Sequence, residues 1–197
     1  MTGNEFDLLA TELFGEVLLP LGFTHQKSAR CTFYRLVGNE VFHFVMPDIG
    51  RRGAWYDIRV FPHTPAIYPL FDQRFPDNLG IPTDRFSLLS EKNVGPDQSQ
   101  FHCKNEDAFR RDFAANVGPS LARVAIPYLD RFRTVADIVP VIRHPSFLGF
   151  ALYHVGRFDE ARSALQQERE RLRKLDTSNK DISVLLERVE QLLGRMT

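Results

Sequence analysis

The side chains best placed to do chemistry together are Arg35, His43, Trp55, Asp57 and Arg59, spread over three strand-like stretches in the first third of the chain. On alternating strands they would share one sheet face with Phe33, Val41, Val45 and Phe61, too apolar for open solvent and too charged for a plain core. Two arginines beside a histidine and a carboxylate suit two kinds of work. They could grip an anionic small molecule, with His43 as acid or base, or they could present an aromatic, charged surface to a protein partner. A structural reading competes with both: His43 as a hydrogen-bonding core histidine, and Asp57 with Arg59 as charges paired across the sheet. The basic turn Arg51-Arg52-Gly53 is a second candidate contact, for an acidic partner.

Other chemistry is thin. There is no phosphate-binding glycine loop, no Gly-x-Ser-x-Gly elbow, no His-Glu-x-x-His and no calcium loop. The six histidines do not fall at ligand spacing on any one helix, so neither a metal nor another cofactor is expected. Cys31 and Cys103 lack Cys-x-x-Cys spacing and sit in apolar strand-like stretches, which suits buried, reduced thiols. Lys plus Arg and Asp plus Glu both number 25, giving a net charge of zero and no field to draw in nucleic acid or anionic membrane. An acidic beginning and the lack of an apolar run of about eighteen residues point to a cytoplasmic protein without a membrane span.

The elements that must position these residues follow from periodicity. Phe6, Leu9, Leu13 and Val17 predict an amphipathic helix over 4–21, capped by Asn4 and stopped by Pro20 and Gly22. Strands are expected at 31–37, 41–46 and 54–61 as an antiparallel meander. Its other face, with Tyr34, Leu36, Phe42, Phe44, Tyr56, Ile58 and Val60, would pack on the first helix. Residues 62–82 carry five prolines among large apolar side chains and predict a packed flap. A further strand pair is expected at 85–90 and 99–103. Asn105 then caps a helix to Val117, Gly118-Pro119 breaks it, and a new axis runs on to Leu129, with Pro127 a kink or end. Helices over 147–155, 158–175 and 181–193 complete the chain.

The spacing of Gly149, Leu152, Gly156, Phe158, Ala161 and Leu165 matches the helical hairpin of a tetratricopeptide repeat. One copy cannot build a solenoid, so a hairpin packed on its own domain is expected. The fold class is therefore α+β: an N-terminal helix packed on an antiparallel sheet, then a helical C-terminal third. Residues 1–134 form the α+β domain and 135–197 the helical extension, unless the two pack as one.

Read in order, Leu18-Leu19-Pro20-Leu21-Gly22-Phe23, Thr32-Phe33-Tyr34-Arg35, Val41-Phe42-His43-Phe44-Val45 and Trp55-Tyr56-Asp57-Ile58-Arg59-Val60 resemble a bacterial family, the domain of unknown function numbered 4304. The resemblance covers about residues 4–135 and implies an α+β domain with no catalytic residues to carry over. Helix-backed sheets of this size often bind proteins, immunity proteins among them. The expectation is a non-enzymatic cytoplasmic module for a protein partner. The alternative is a small-molecule protein or enzyme with a pocket on the mixed face, and a third reading makes the tail a homodimer surface.

Overall fold

The computed structural model describes residues 1–26, 31–50, 53–64, 66, 86–87, 101–142, 144–176 and 178–196, with backbone alone at 86–87. The chain divides into two compact units, Met1–Pro62 with Arg85–Phe132, and His63–Asp84 with Arg133–Thr197. The architecture is α+β: an N-terminal helix, an antiparallel sheet and helices in the C-terminal part. Most of the expected flap over 62–82 lies outside the described residues.

In the first unit, helix α1 spans Gly3–Leu18, and its cap is Thr2 rather than Asn4. Thr2 and Glu5 make a reciprocal capping box: the Glu5 N–H donates to Thr2 Oγ1 at 3.3 Å and the Thr2 N–H donates to Glu5 Oε2 at 2.7 Å. Two otherwise orphaned donors are thereby satisfied. Strands β1 (Thr24–His25), β2 (Phe33–Val37), β3 (Val41–Ile49), β4 (Trp55–His63), β5 (Phe86–Ser87) and β6 (Phe101–His102) form one sheet among the described residues, in the order β1-β2-β3-β4-β5. β5 pairs with β4 at Arg59 and Val60, and β6 pairs with β4 at Trp55 and Tyr56. The expected strand pair is thus two short strands laid along β4.

The face assignment read from sequence is corrected here. Phe33 lies opposite Val45 and Tyr34 opposite Phe44. It is Phe33 and Val45, together with Tyr56, Ile58 and Val60, that share a core with Phe6, Leu9, Leu13 and Phe14 of α1. On the far side Phe44 stacks on Phe61 with ring centroids 5.1 Å apart. The even residues of β3 therefore share a face with the odd residues of β4. A one-residue change of phase in the β3–β4 connection exchanges every side chain of one strand relative to the other.

The helical stretch after Asn105 also departs from expectation. α2 (Glu106–Asp112), α3 (Gly118–Ser120) and α4 (Ile126–Leu129) are joined by π turns at Phe113–Val117 and Leu121–Ala125, with right-handed helical backbone at every junction. The Gly118 N–H bonds the Phe113 carbonyl and the Ile126 N–H bonds the Leu121 carbonyl, five residues back in each case. Each wide turn falls just before a proline, Pro119 or Pro127. Proline has no N–H and crowds the carbonyl four residues back, so a widened turn lets the helix continue where a break was expected.

In the second unit, Thr134 and Asp137 form a capping box on α5 (Val135–Ile138), followed by α6 (Pro145–His154), α7 (Phe158–Leu172) and α8 (Lys180–Arg195). Gly156, at φ +78°, makes the left-handed turn between α6 and α7. Gly149 lets those helices approach closely, since a Cβ there would lie 2.4 Å from Leu165 Cδ2. The Glu168 carboxylate, 1% exposed, takes the Ser146 hydroxyl and a two-pronged bond from Arg171 at 2.7 Å on each arm. Burial pushes this carboxyl up, but the Arg171 fork and the Ser146 hydroxyl outweigh it and hold it below its ordinary value.

Gly149→Ala should lower stability by about 1 kcal/mol, overpacking against Leu165 exceeding the gain in helix propensity. Thermal unfolding checks this, and a raised midpoint would refute the close crossing. Because the Glu168 carboxyl titrates lower in the fold than in the unfolded chain, its contribution is complete above the ordinary carboxylate value and drains as pH falls through the folded one. Glu168→Gln should therefore cost about 1.5 kcal/mol at neutral pH, since the Arg171 left behind is half exposed, and should flatten the acid limb of the stability–pH curve. Wild-type and variant curves that stay parallel into acid would contradict it.

Candidate functional site

The five residues singled out from sequence do not share a face. Arg35 and His43 are cross-strand partners on the α1 side of β2 and β3. Trp55, Asp57 and Arg59 alternate with Tyr56 and Ile58 of the core and so lie on the opposite side of β4. The single cleft expected on a mixed face is thus two separate arrangements.

The first is a knot of polar groups at one end of the sheet. The Arg35 guanidinium donates to His43 Nδ1 from Nε at 3.3 Å and lies 3.2 Å from it through Nη2. It also donates to the Leu21 carbonyl at 3.1 Å and to the Asp130 carboxylate, and its Cζ stands 4.7 Å over the Phe23 ring. His43 is fully buried, with Nε2 2.6 Å from the Phe132 carbonyl. A guanidinium has donors only, so Nδ1 must be the acceptor. Nε2 then carries the proton and donates it to Phe132, which fixes one neutral tautomer. Both ring nitrogens thus join protein groups, and the knot ties the end of the 106–132 helical stretch to β2 and β3. For His43 to act as an acid or base, one of these bonds would have to open.

The second arrangement is a half-open strip on β4. Trp55, 37% exposed, sits opposite His102 of β6 with ring centroids 4.0 Å apart. Asp57 accepts the Ile58 N–H at 2.8 Å. Arg59 reaches Asp48 of β3 at 3.2 Å, not Asp57, and both partners are about a third exposed. Aromatic rings and an ion pair thus lie along one line of the sheet. Arg51 and Arg52, the expected partner loop, lie outside the described residues.

The thiols are buried and unbridged. Burial pushes Cys31 up to about 12 and Cys103 up to about 11, so both are protonated at neutral pH. Among the described residues, no group of three or more His, Cys, Asp or Glu is arranged to hold a metal ion.

Sequence reasoning missed Asp130 and the Phe132 carbonyl, 95 and 89 positions from their partners in the knot. The only cue was that Arg35 and His43 face each other across the β2–β3 hairpin. Compared with protein-family models, curated proteins and solved structures, the chain matches none of them.

His43→Phe keeps the ring's volume and removes both hydrogen-bonding nitrogens, leaving the buried Phe132 carbonyl without that donor. It should cost about 2 kcal/mol in denaturant unfolding. A variant as stable as wild type would mean that the ring contributes packing alone.

Proposed function

We propose that the chain is a non-enzymatic cytoplasmic protein-binding module, and that the strip of Trp55, His102, Asp57 and Arg59 meets its partner. Trp55 carries the reading. A tryptophan held on a strand, braced by a second ring and more than a third exposed, is the type of side chain that dominates interface energetics. The Arg59–Asp48 pair beside it supplies the polar edge that such an anchor usually has.

The kinship proposed with the bacterial family numbered 4304 fits this reading. The phrases that carry the resemblance run from the end of α1 through β2, β3 and β4 and include Trp55, Asp57 and Arg59. By analogy of size and architecture, the module is of the kind to which small immunity proteins belong. Among the described residues, no helix is long and apolar enough to cross a membrane. A pocket using Arg35 and His43 together with Asp57 and Arg59 is not favoured, because the pairs lie on opposite sides of the sheet.

The test is quantitative co-purification from the native host, with wild type, Trp55→Ala and Arg59→Ala compared at equal thermal stability. A specific protein held by wild type should bind Trp55→Ala more weakly by about 2 kcal/mol, roughly 30-fold. Undiminished capture by both variants would sink the assignment of this strip.

A further inference from the structure

Helix α7 carries Arg162, Gln166 and Arg169, and Arg173 caps its C-terminal end with helical backbone, so the four fall at intervals of four, three and four residues in one stripe. With Glu190, Leu193 and Gly194 of α8 they line an open groove of about 480 Å³. At 1.5 Å rise per residue the stripe is roughly 16 Å long. Three cations face one anion across it, in a protein whose net charge is zero.

The three arginines differ in what holds them. Arg173 donates to Glu190 at 2.6 Å and Arg162 donates to the Met196 carbonyl, so the outer two tie α7 to the C-terminal end of α8. Arg169, between them, has no acceptor within hydrogen-bond distance. Its nearest carboxylate oxygen, on Glu170, is 3.7 Å away, and its Nε is buried without a partner. An unpaired buried donor on a cation is costly, and two fixed cations nearby add to the cost. An anion seated in the groove against the part of Arg169 that lines it would offset the crowding of positive charge. The floor is open as well: a Cβ built on Gly194 meets nothing within 4 Å.

We propose that this groove binds an extended acidic segment of a partner protein, with a carboxylate on Arg169. The length of the stripe decides for a peptide. Arg169 and Arg173 are separated by about 6 Å of helix, close to the roughly 6.7 Å between alternate side chains of an extended chain. One free phosphate would engage only part of the row, whereas Gln166 and Glu190 offer an amide and an acceptor suited to a peptide backbone. The inference rests on the reading of the chain as a protein-binding module, but not on the Trp55 strip.

The experiment is fluorescence anisotropy of the full chain with a labelled peptide of alternating glutamate and serine, against the same peptide with glutamine for glutamate. The acidic peptide should bind and weaken with added salt, and the glutamine peptide should not bind. Arg169→Gln, which removes no hydrogen bond of the folded protein, should weaken binding about tenfold or more. Gly194→Leu projects a side chain into the groove, improves helix propensity and should abolish binding at unchanged or higher thermal stability. Equal binding of both peptides, or binding untouched by either variant, would overturn the proposal. Inorganic phosphate that displaced the peptide and bound with the same dependence on Arg169 would overturn the peptide assignment in favour of a phosphate site. Partner capture that depends on Trp55 alongside no peptide binding would defeat this inference and leave the strip reading standing.

Discussion

Three rings settle most of the first unit. Phe6 of α1 stacks on Phe109 of α2 with centroids 5.2 Å apart, and Tyr56 of β4 meets both, at 5.4 Å and 4.8 Å. Helix, sheet and second helix are joined at this one point. Because Tyr56 is committed there, every second residue of β4 follows it inward, and Trp55, Asp57 and Arg59 have no choice but the other side. The half-open strip is therefore a consequence of how the core is filled on the opposite face. The Tyr56 hydroxyl is carried into the interior without a hydrogen-bond partner, and burial drives its titration far upward. A phenylalanine would avoid that cost.

The knot at the other end of the sheet shows how a residue type suited to catalysis can be absorbed by architecture. His43 and Arg35 are the pair a chemist would pick out first, and in the fold they satisfy each other, two backbone carbonyls and a carboxylate. Helix ends leave carbonyls unpaired, and the Phe132 carbonyl lies just past the end of a helical stretch. A buried imidazole that donates there and accepts from an arginine answers that need and orients the ring at once. The side chains that look most chemical are thus those doing the most to hold the unit's far segments together.

Local patterns carried most of the fold into view from sequence. The 3.6-residue period of α1, the aromatic and β-branched strands, the Asn105 cap and the left-handed Gly156 each speak within a few residues, and each element formed near its expected place. Relations between elements did not speak so clearly. Whether β4 faces the same way as β3 depends on the parity of a short connection, and alternation within each strand is equally satisfied by either phase. The partners of Arg35 lie across most of the unit, with nothing near Asp130 to mark it. At Pro119 and Pro127 a sound local rule was overridden, because π turns offer a helix a way past proline that no residue preference announces. The groove arginines were invisible for a related reason: charges on a helix normally mean solvent, and only the approach of α8 turns such a row into a wall.

Neutrality constrains how such surfaces can work. With no net charge there is no long-range attraction to hasten encounter, so association should run near the unsteered rate of about 10⁵ to 10⁶ M⁻¹s⁻¹. Selection must come afterwards, from how long a partner stays. A row of fixed arginines acts over about one screening length, roughly 8 Å, which a partner feels only when already in contact. Arg169 suits that regime. Its flanking cations are held in place by α8, so a ligand would have to impose little order on the groove, and the gain from a close carboxylate over the loose Glu170 pair would appear mainly in the rate of leaving.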